Sequence, residues 1–287
     1  MERAYQVITD RVLAELDHGA VPWRKSWSTP IGQLPRNAIS NRPYHSINAM
    51  VLGISGFTDP RWLTFNGARQ IGGNVKQGAK ASPVVFWRWI EAERENEAGQ
   101  KVIKNIPFLR YYRVFNVAQC ESLTLPAVPP EANPPRPVEA AEAIAAAFPG
   151  APTVQWTNGD VACYVPSADV VRMPPRAAFR DPGELYSVLF HELTHSTGHP
   201  SRLRRFDLAA PLAPFGSEDY SKEELVAEFG SCFLNHEAGI ESTIPNSVAY
   251  IQNWAERIRK DPKLVMQAAG KANHAANYIL GRKESQS

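Results

Sequence analysis

The residues best equipped for chemistry lie between Asp181 and His199, in Asp-Pro-Gly-Glu-Leu-Tyr-Ser-Val-Leu-Phe-His-Glu-Leu-Thr-His-Ser-Thr-Gly-His. His191 and His195 are four positions apart, one turn along one face of an α-helix, so both imidazoles can reach a single cation. Glu192 lies between them, and His-Glu-x-x-His on a helix is the arrangement in which two histidines hold zinc and the glutamate acts as base. A catalytic zinc site needs a third protein ligand and an open position for water. His199 is a poor third ligand: it lies beyond Gly198, and the longer His-Glu-x-x-His-x-x-Gly-x-x-His pattern needs histidine at position 201, where Ser201 stands. Glu224 and Glu228 are also one turn apart and can divide the work, one binding metal while the other hydrogen-bonds a ligand imidazole. The residues alone leave that order open. A competing reading of Glu224 is structural, because Ser221-x-x-Glu224 is a capping box that needs no metal. With zinc, or with manganese, which tolerates the same ligands, a bound water becomes acidic and Glu192 is the residue to take its proton. No residue is assigned to oxyanion stabilisation, and His236 and Tyr220 are read as structural.

The elements that must position these side chains follow from capping and periodicity. Asp181 as N-cap, Pro182 in the first turn, Glu184 at N3 and Gly198 past the end delimit the motif helix. A second helix is expected from Ser221 to near Gly239. An alanine-rich helix over Val138–Phe148 precedes apolar runs at 152–156, 161–165 and 170–173, which read as strands of a small sheet. Residues 247–280 read as helical, with a break near Asp261-Pro262. Upstream, Ile8, Val12, Leu13 and Leu16 mark an amphipathic helix that stops at Gly19, and Pro22 prevents its continuation. Loop follows to about Tyr44, then short helices over 46–53 and 66–71. Residues 82–90 and 107–117 read as strands, and the charged stretch 91–105 between them as a long exposed loop. Six prolines between Leu123 and Pro137 mark an extended linker. The expectation is an α+β chain of two domains: residues 1–123, a small mixed α/β domain; a linker over 124–137; and residues 138–287, an α+β domain carrying the metal motif.

With 287 residues the chain is long for a single core. Three scattered cysteines without C-x-x-C spacing argue against a disulfide framework or a thiolate metal site and fit a reducing, cytoplasmic setting. The N-terminus lacks the apolar core of a signal peptide, and no run approaches the ~18 apolar residues of a membrane span, so no membrane partner is expected. Net charge is only +2, but it is unevenly spread. Between His18 and Trp89 stand nine Lys/Arg and one acid, Asp59, together with five of the seven tryptophans. Bases stack on aromatic faces and phosphates pair with cations, so the mixture suits single-stranded nucleic acid, although tryptophans in a small domain are commonly core. The candidate contacts are Arg36, Asn37, Arg42, Tyr44 and Asn48 in one loop, and Lys76 and Lys80 in the glycine-rich segment 72–80. That segment lacks the Gly-Lys-Ser/Thr of a phosphate-binding loop.

Pro22-Trp-x-x-x-Trp27, Asn41-Arg-Pro-Tyr44, Ile47-Asn48, Trp62-Leu-Thr, Gly72-Gly-x-x-Lys76-x-Gly78, Val84-Val-Phe-Trp and Val114-Phe-Asn-Val together resemble the N-terminal domain of ArdC-type antirestriction proteins. His191 to His199, Arg202-Leu-x-Arg205 and Glu223-Glu-Leu-Val-Ala-Glu228 are similar to the zincin-like domain of the same proteins. The spacing Glu224-x-x-x-Glu228 also resembles the third ligand of thermolysin-like gluzincins. That resemblance implies Glu224 as ligand and Glu228 as its outer partner. The family resemblance implies a single-stranded-DNA-binding domain, related to the one at the front of plasmid DNA primases, joined to a gluzincin-like metallopeptidase domain. It further implies a role on mobile elements, protecting incoming DNA from host restriction. Two other functions compete: an active zinc peptidase that cleaves a host restriction-enzyme subunit or DNA-processing protein, and a metal-stabilised scaffold without turnover.

Overall fold

A computed structural model describes residues 2–25, 27–31, 33–95, 101–125, 136–208, 218–241 and 247–282, without the side chains of 88–95, 101–107 and 218–219. The chain opens with helix α1 (Glu2–Asp17), which buries Ala4, Ile8, Val12 and Leu16 along one stripe. Pro22–Arg24 form a 3-10 turn. Strand β1 (Arg36–Asn37), helix α2 (Ser46–Gly53), strand β2 (Arg61–Thr64), helix α3 (Phe65–Gln70) and strand β3 (Asn74–Val75) follow. Strands β4 (Ser82–Glu95), β5 (Lys101–Asn116) and β6 (Cys120–Glu121) complete this half. Its main sheet has the order β1-β2-β5-β4, with a two-stranded ribbon β3-β6 beside it.

The charged stretch expected as a loop is strand. The antiparallel register runs without a break from Ser82↔Val114 to Glu95↔Lys101. Charge density argued for a loop, but Glu91-Ala92-Glu93 alternates polar with apolar at the two-residue period of a strand, and Val102-Ile103 opposite are β-branched residues that favour one. Of the expected linker, residues 126–135 lie outside the described residues.

The second half contains helix α4 (Pro137–Ala147), strands β7 (Thr153–Trp156), β8 (Cys163–Val165) and β9 (Val170–Met173), and helices α5 (Pro182–Ser196), α6 (Glu218–Ala238), α7 (Val248–Lys260) and α8 (Leu264–Ile279). Its sheet has the order β7-β9-β8, parallel between β7 and β9 and antiparallel between β9 and β8. Helix α5 starts as the sequence predicts, with the Asp181 side chain accepting from the Glu184 amide at 2.8 Å. Helix α6 already begins at Glu218, so Ser221 lies inside it and does not cap Glu224. Among the described residues, no helix is long and apolar enough to cross a membrane.

The two halves share a core. Ile8, Val12, Leu16, Trp23 and Met50 pack in one cluster with Leu225, Val226, Phe229, Trp254, Ile258 and Val265. A second cluster, around Met173, Tyr186, Phe190, Leu193, Leu234 and Ile279, belongs to the C-terminal half alone. At the seam the Arg24 guanidinium grips Glu228, with Nη2 to Oε1 at 2.6 Å and Nε to Oε2 at 3.2 Å, both side chains being 12% exposed. Tyr250 donates its hydroxyl to the same carboxylate at 2.6 Å, accepts from the Trp23 indole at 3.2 Å, and lies under the guanidinium at 4.1 Å. Burial opposes ionisation of Glu228, but the Arg24 charge overrides it and holds the carboxyl below its ordinary value.

Arg24→Ala strands a buried carboxylate and should cost ~3–5 kcal/mol, read as a lower melting temperature. Because the folded pKa of Glu228 is depressed, this stabilisation is present above the unfolded carboxylate value of 4.5 and is lost as pH falls through the folded one. The gap in melting temperature between wild type and Arg24→Ala should therefore narrow on acidification below that value, and a gap unchanged by pH would refute the assignment.

Candidate metal centre

Helices α5 and α6 cross closely, and that crossing brings the candidate ligands together. A Cβ placed on Gly230 would lie 2.3 Å from the Thr194 methyl, so only glycine lets α6 approach at that point. Hydrogen bonds tie the crossing down: Ser231 Oγ donates to the Ser187 carbonyl at 2.7 Å, and Asn235 Nδ2 donates to Ser187 Oγ at 3.0 Å. Two turns N-terminal of Gly230, α6 delivers Glu224 to the histidine face of α5. The Nε2 atoms of His191 and His195 are 3.2 Å apart, and Glu224 places Oε2 3.5 Å from the first and Oε1 3.5 Å from the second. A tetrahedral ion with bonds of ~2.0–2.1 Å separates its ligand atoms by ~3.3–3.4 Å, so this triangle is the size of one coordination face. Among the described residues, His191, His195 and Glu224 are the one group of three or more such side chains able to share an ion. His199 is bonded to Ser201 instead, with 2.7 Å from Nδ1 to Oγ.

The carboxylate that reaches a ligand imidazole from outside is Glu223, not Glu228. Its Oε1 lies 3.5 Å from His195 Nδ1. Arg205 holds it through Nη2 to Oε1 at 2.7 Å and Nε to Oε2 at 3.1 Å, and also donates to Thr197 Oγ1 and the Thr194 carbonyl. Glu228 faces the seam and is taken by Arg24 and Tyr250. Burial resists the charged form of His195, yet hydrogen bonds to Glu223 and Glu224 and the charge of Glu192 outweigh it and raise its pKa to about 10. Burial likewise opposes the Glu224 carboxylate, and the two imidazoles overcome it to hold this group well below the usual range. The centre thus gathers three carboxylates, of which Arg205 compensates one, and attracts positive charge.

Glu192 is 8% exposed and accepts the backbone N–H of Tyr164 at 2.7 Å, so strand β8 fixes its orientation. The Tyr164 ring is anchored in turn, its hydroxyl donating to Asp169 at 2.8 Å and accepting from Arg202 at 3.2 Å. Tyr220, expected to be structural, belongs to the site. Burial, a hydrogen bond to Glu224 and the charges of Glu224 and Glu192 push its phenol up to about 12, so it stays a proton donor. Sequence reasoning placed Glu223 and Arg205 in family motifs without a role and read Tyr220 as structural. The available signal for Tyr220 is its position one turn before Glu224 on one helix face. His236 stacks on Trp27 at 4.2 Å beside a cavity of about 100 Å³ remote in the helix from Glu224.

Comparisons with known proteins bear on this geometry. Residues 2–115 match the model of the N-terminal domain of anti-restriction factor ArdC, and residues 139–271 match that of a zincin-like metallopeptidase. The metal-free crystal structure of antirestriction ArdC from plasmid R388 is 32% identical, covers 98% of this chain and 99% of its own, and superposes with a TM-score of 0.71. The chain belongs to the ArdC antirestriction family. The Mn(II)-bound structure of R388 ArdC gives a TM-score of 0.72 over 96% of this chain and 97% of that one. An uncharacterised Sinorhizobium fredii protein is 30% identical over 96% of this chain and 91% of its own. Two Escherichia coli DNA primases TraC are 34% and 33% identical over 98% of the chain, which spans 20% and 27% of their lengths. The ArdC family match thus confirms the two-domain α+β architecture expected from sequence.

In the ArdC-type N-terminal domain the residues singled out for DNA are dispersed among different tasks. Arg42, Lys76 and Lys80 are exposed, and Lys76 donates to the Ala118 carbonyl at 3.0 Å. Arg36 and Tyr44 are half-buried, Tyr44 against the cluster of Leu52, Trp62, Val84 and Val114. The Asn37 carboxamide accepts from the amides of Ile39 and Ser40, both at 2.9 Å, and closes a turn. Asn48 pairs with both backbone groups of Val85, at 2.7 and 2.8 Å, and so covers the free edge of β4. Both carboxamides serve the fold. Trp23 and Trp62 are core residues, 2% and 0% exposed.

The helix crossing makes a stability prediction. Gly230→Ala gains up to ~1 kcal/mol of helix propensity, but overpacking against Thr194 costs ~1–3 kcal/mol, so the melting temperature should fall. Adding Thr194→Ala removes the opposing atoms and should recover part of the loss. A Gly230→Ala protein as stable as wild type would show that the crossing is not tight.

Proposed function

We propose that the chain binds single-stranded DNA through residues 1–123 and protects incoming mobile-element DNA from host restriction in the cytoplasm, while residues 138–287 hold one divalent cation, zinc or manganese. The observation that carries the metal part is the triangle of His191 Nε2, His195 Nε2 and Glu224, all within 4.8 Å. The Mn(II)-bound state of R388 ArdC, a relative matched over nearly its full length, supports it. Such a cation supplies Lewis acidity and lowers the pKa of a coordinated water.

The chain's own residues then divide the remaining tasks. Glu223, pinned by Arg205, orients the His195 ring through Nδ1 so that Nε2 faces the ligand triangle. Glu192 keeps one oxygen on the Tyr164 amide and has the other to accept a proton. Tyr220, protonated at neutral pH, can donate a hydrogen bond to negative charge developing beside Glu192. The joint presence of an oriented Glu192 and a protonated Tyr220 favours a second reading, a peptidase directed at a host restriction or DNA-processing protein. A metal used only to stabilise a scaffold would need neither residue.

Restriction-protection assays with Glu192→Ala separate the readings. Full protection by this variant is the outcome expected of a DNA-binding protector, whereas loss of protection with unchanged DNA affinity transfers the function to peptide hydrolysis. For the DNA part, affinity of the intact chain for an oligonucleotide should fall linearly with log salt, with a slope of ~0.7 per phosphate neutralised. Salt-independent affinity would count against it. The intact chain is required because residues 1–123 share their core with α6, α7 and α8.

A further inference from the structure

The single-strand reading leaves a contact surface to be found, since Asn37 and Asn48 are committed to the fold and Trp23 and Trp62 are buried. The β4–β5 hairpin offers one. Phe86 and Tyr112 are 49% and 44% exposed, and their rings meet edge to face at 6.5 Å. The register pairs Val84 with Tyr112, Phe86 with Arg110 and Arg88 with Phe108, so Phe86, Phe108, Arg110 and Tyr112 share one face. On that face the exposed Arg110 lies over the half-buried Phe108 ring at 4.6 Å. Two adjacent large aromatics half in water gain little from folding alone, and their conjunction with an arginine points to a ligand that is both flat and anionic.

Charge favours a polyanion over an apolar partner. In the backbone register, positions 88 and 94 of β4 and 104 of β5, occupied by Arg, Arg and Lys, share the alternation of Phe86 and Arg110. Positions 91, 93 and 95, all glutamate, alternate onto the opposite face. By register, the stretch expected as a charged loop has no acidic position on the aromatic alternation between 82 and 95.

Resting on the single-strand reading, we propose that this hairpin face is the platform on which single-stranded DNA lies. Bases stack on Phe86 and Tyr112, and Arg110 pairs with the phosphates. Unstacked bases offer their faces to such rings, which a duplex does not, and stacking is tolerant of sequence.

The test is fluorescence anisotropy of a labelled oligothymidylate with the intact protein across a salt series. Phe86→Ala with Tyr112→Ala should weaken binding by roughly ten- to a hundredfold, while Phe86→Tyr with Tyr112→Phe should bind as wild type does. Arg110→Ala should lower the salt slope by about 0.7. Unchanged affinity in the double alanine variant overturns the platform but leaves the single-strand reading intact. Wild type that fails to bind the oligonucleotide even at low salt overturns the reading itself. Self-association of wild type that the double alanine variant abolishes, with oligonucleotide affinity unchanged, would assign the face to a second copy of the chain and overturn the proposal.

Discussion

A buried ion pair, Arg24 with Glu228, joins the first turn after α1 to the helix that carries the candidate metal ligand. Charges taken out of water are tolerated only when geometry satisfies them, and here a forked guanidinium, a tyrosine hydroxyl and a cation–π contact do so together. Glu228 is one turn beyond Glu224 on α6, so whatever fixes Glu228 also limits the rotation and slide of Glu224. The Gly230–Thr194 approach sets the distance between α6 and α5, and the pair at the seam sets α6 from its other side. The N-terminal half thus helps to place the candidate metal centre without supplying a candidate ligand to it.

The electrostatics of the centre follow from that placement. Glu192, Glu223 and Glu224 lie around two imidazoles, and Arg205 offsets Glu223. The remaining negative charge raises the proton affinity of His195 and of the Tyr220 phenol, both of which carry burial penalties in the opposite sense or in addition. A divalent cation relieves the same charge with better geometry than a proton, since it can bond all three ligand atoms at once. In the proposed centre the candidate ligand and the carboxylate beside the His195 ring are two adjacent residues, Glu224 and Glu223, rather than two a turn apart.

Much of this was legible in sequence where the signal is local. The caps of α5 and the His191/Glu192/His195 spacing needed only local capping and helical periodicity, whereas Glu224 as third ligand came from the resemblance to gluzincins. One-turn spacing says that Glu224 and Glu228 share a face, without saying that a neighbouring element already claims one of them. Arg24 is some 200 residues away in sequence, and no local pattern announces such a partner. Tyr220 was hidden by the placement of the helix start at Ser221, which left it outside α6. In the β4–β5 hairpin, charge density masks the strand in sequence. Asn37 and Asn48 show the ambiguity of a carboxamide, whose donor and acceptor suit a nucleotide and a strand edge equally well.

The central claim is that Glu224, brought by α6 to His191 and His195, completes a single divalent-cation site. Isothermal titration of the chelator-stripped intact protein with manganese or zinc tests it directly. The account predicts one cation per chain for wild type and for Glu228→Gln, and no binding by Glu224→Gln in the concentration range that saturates wild type. A Glu224→Gln protein that binds one cation with wild-type affinity would contradict it.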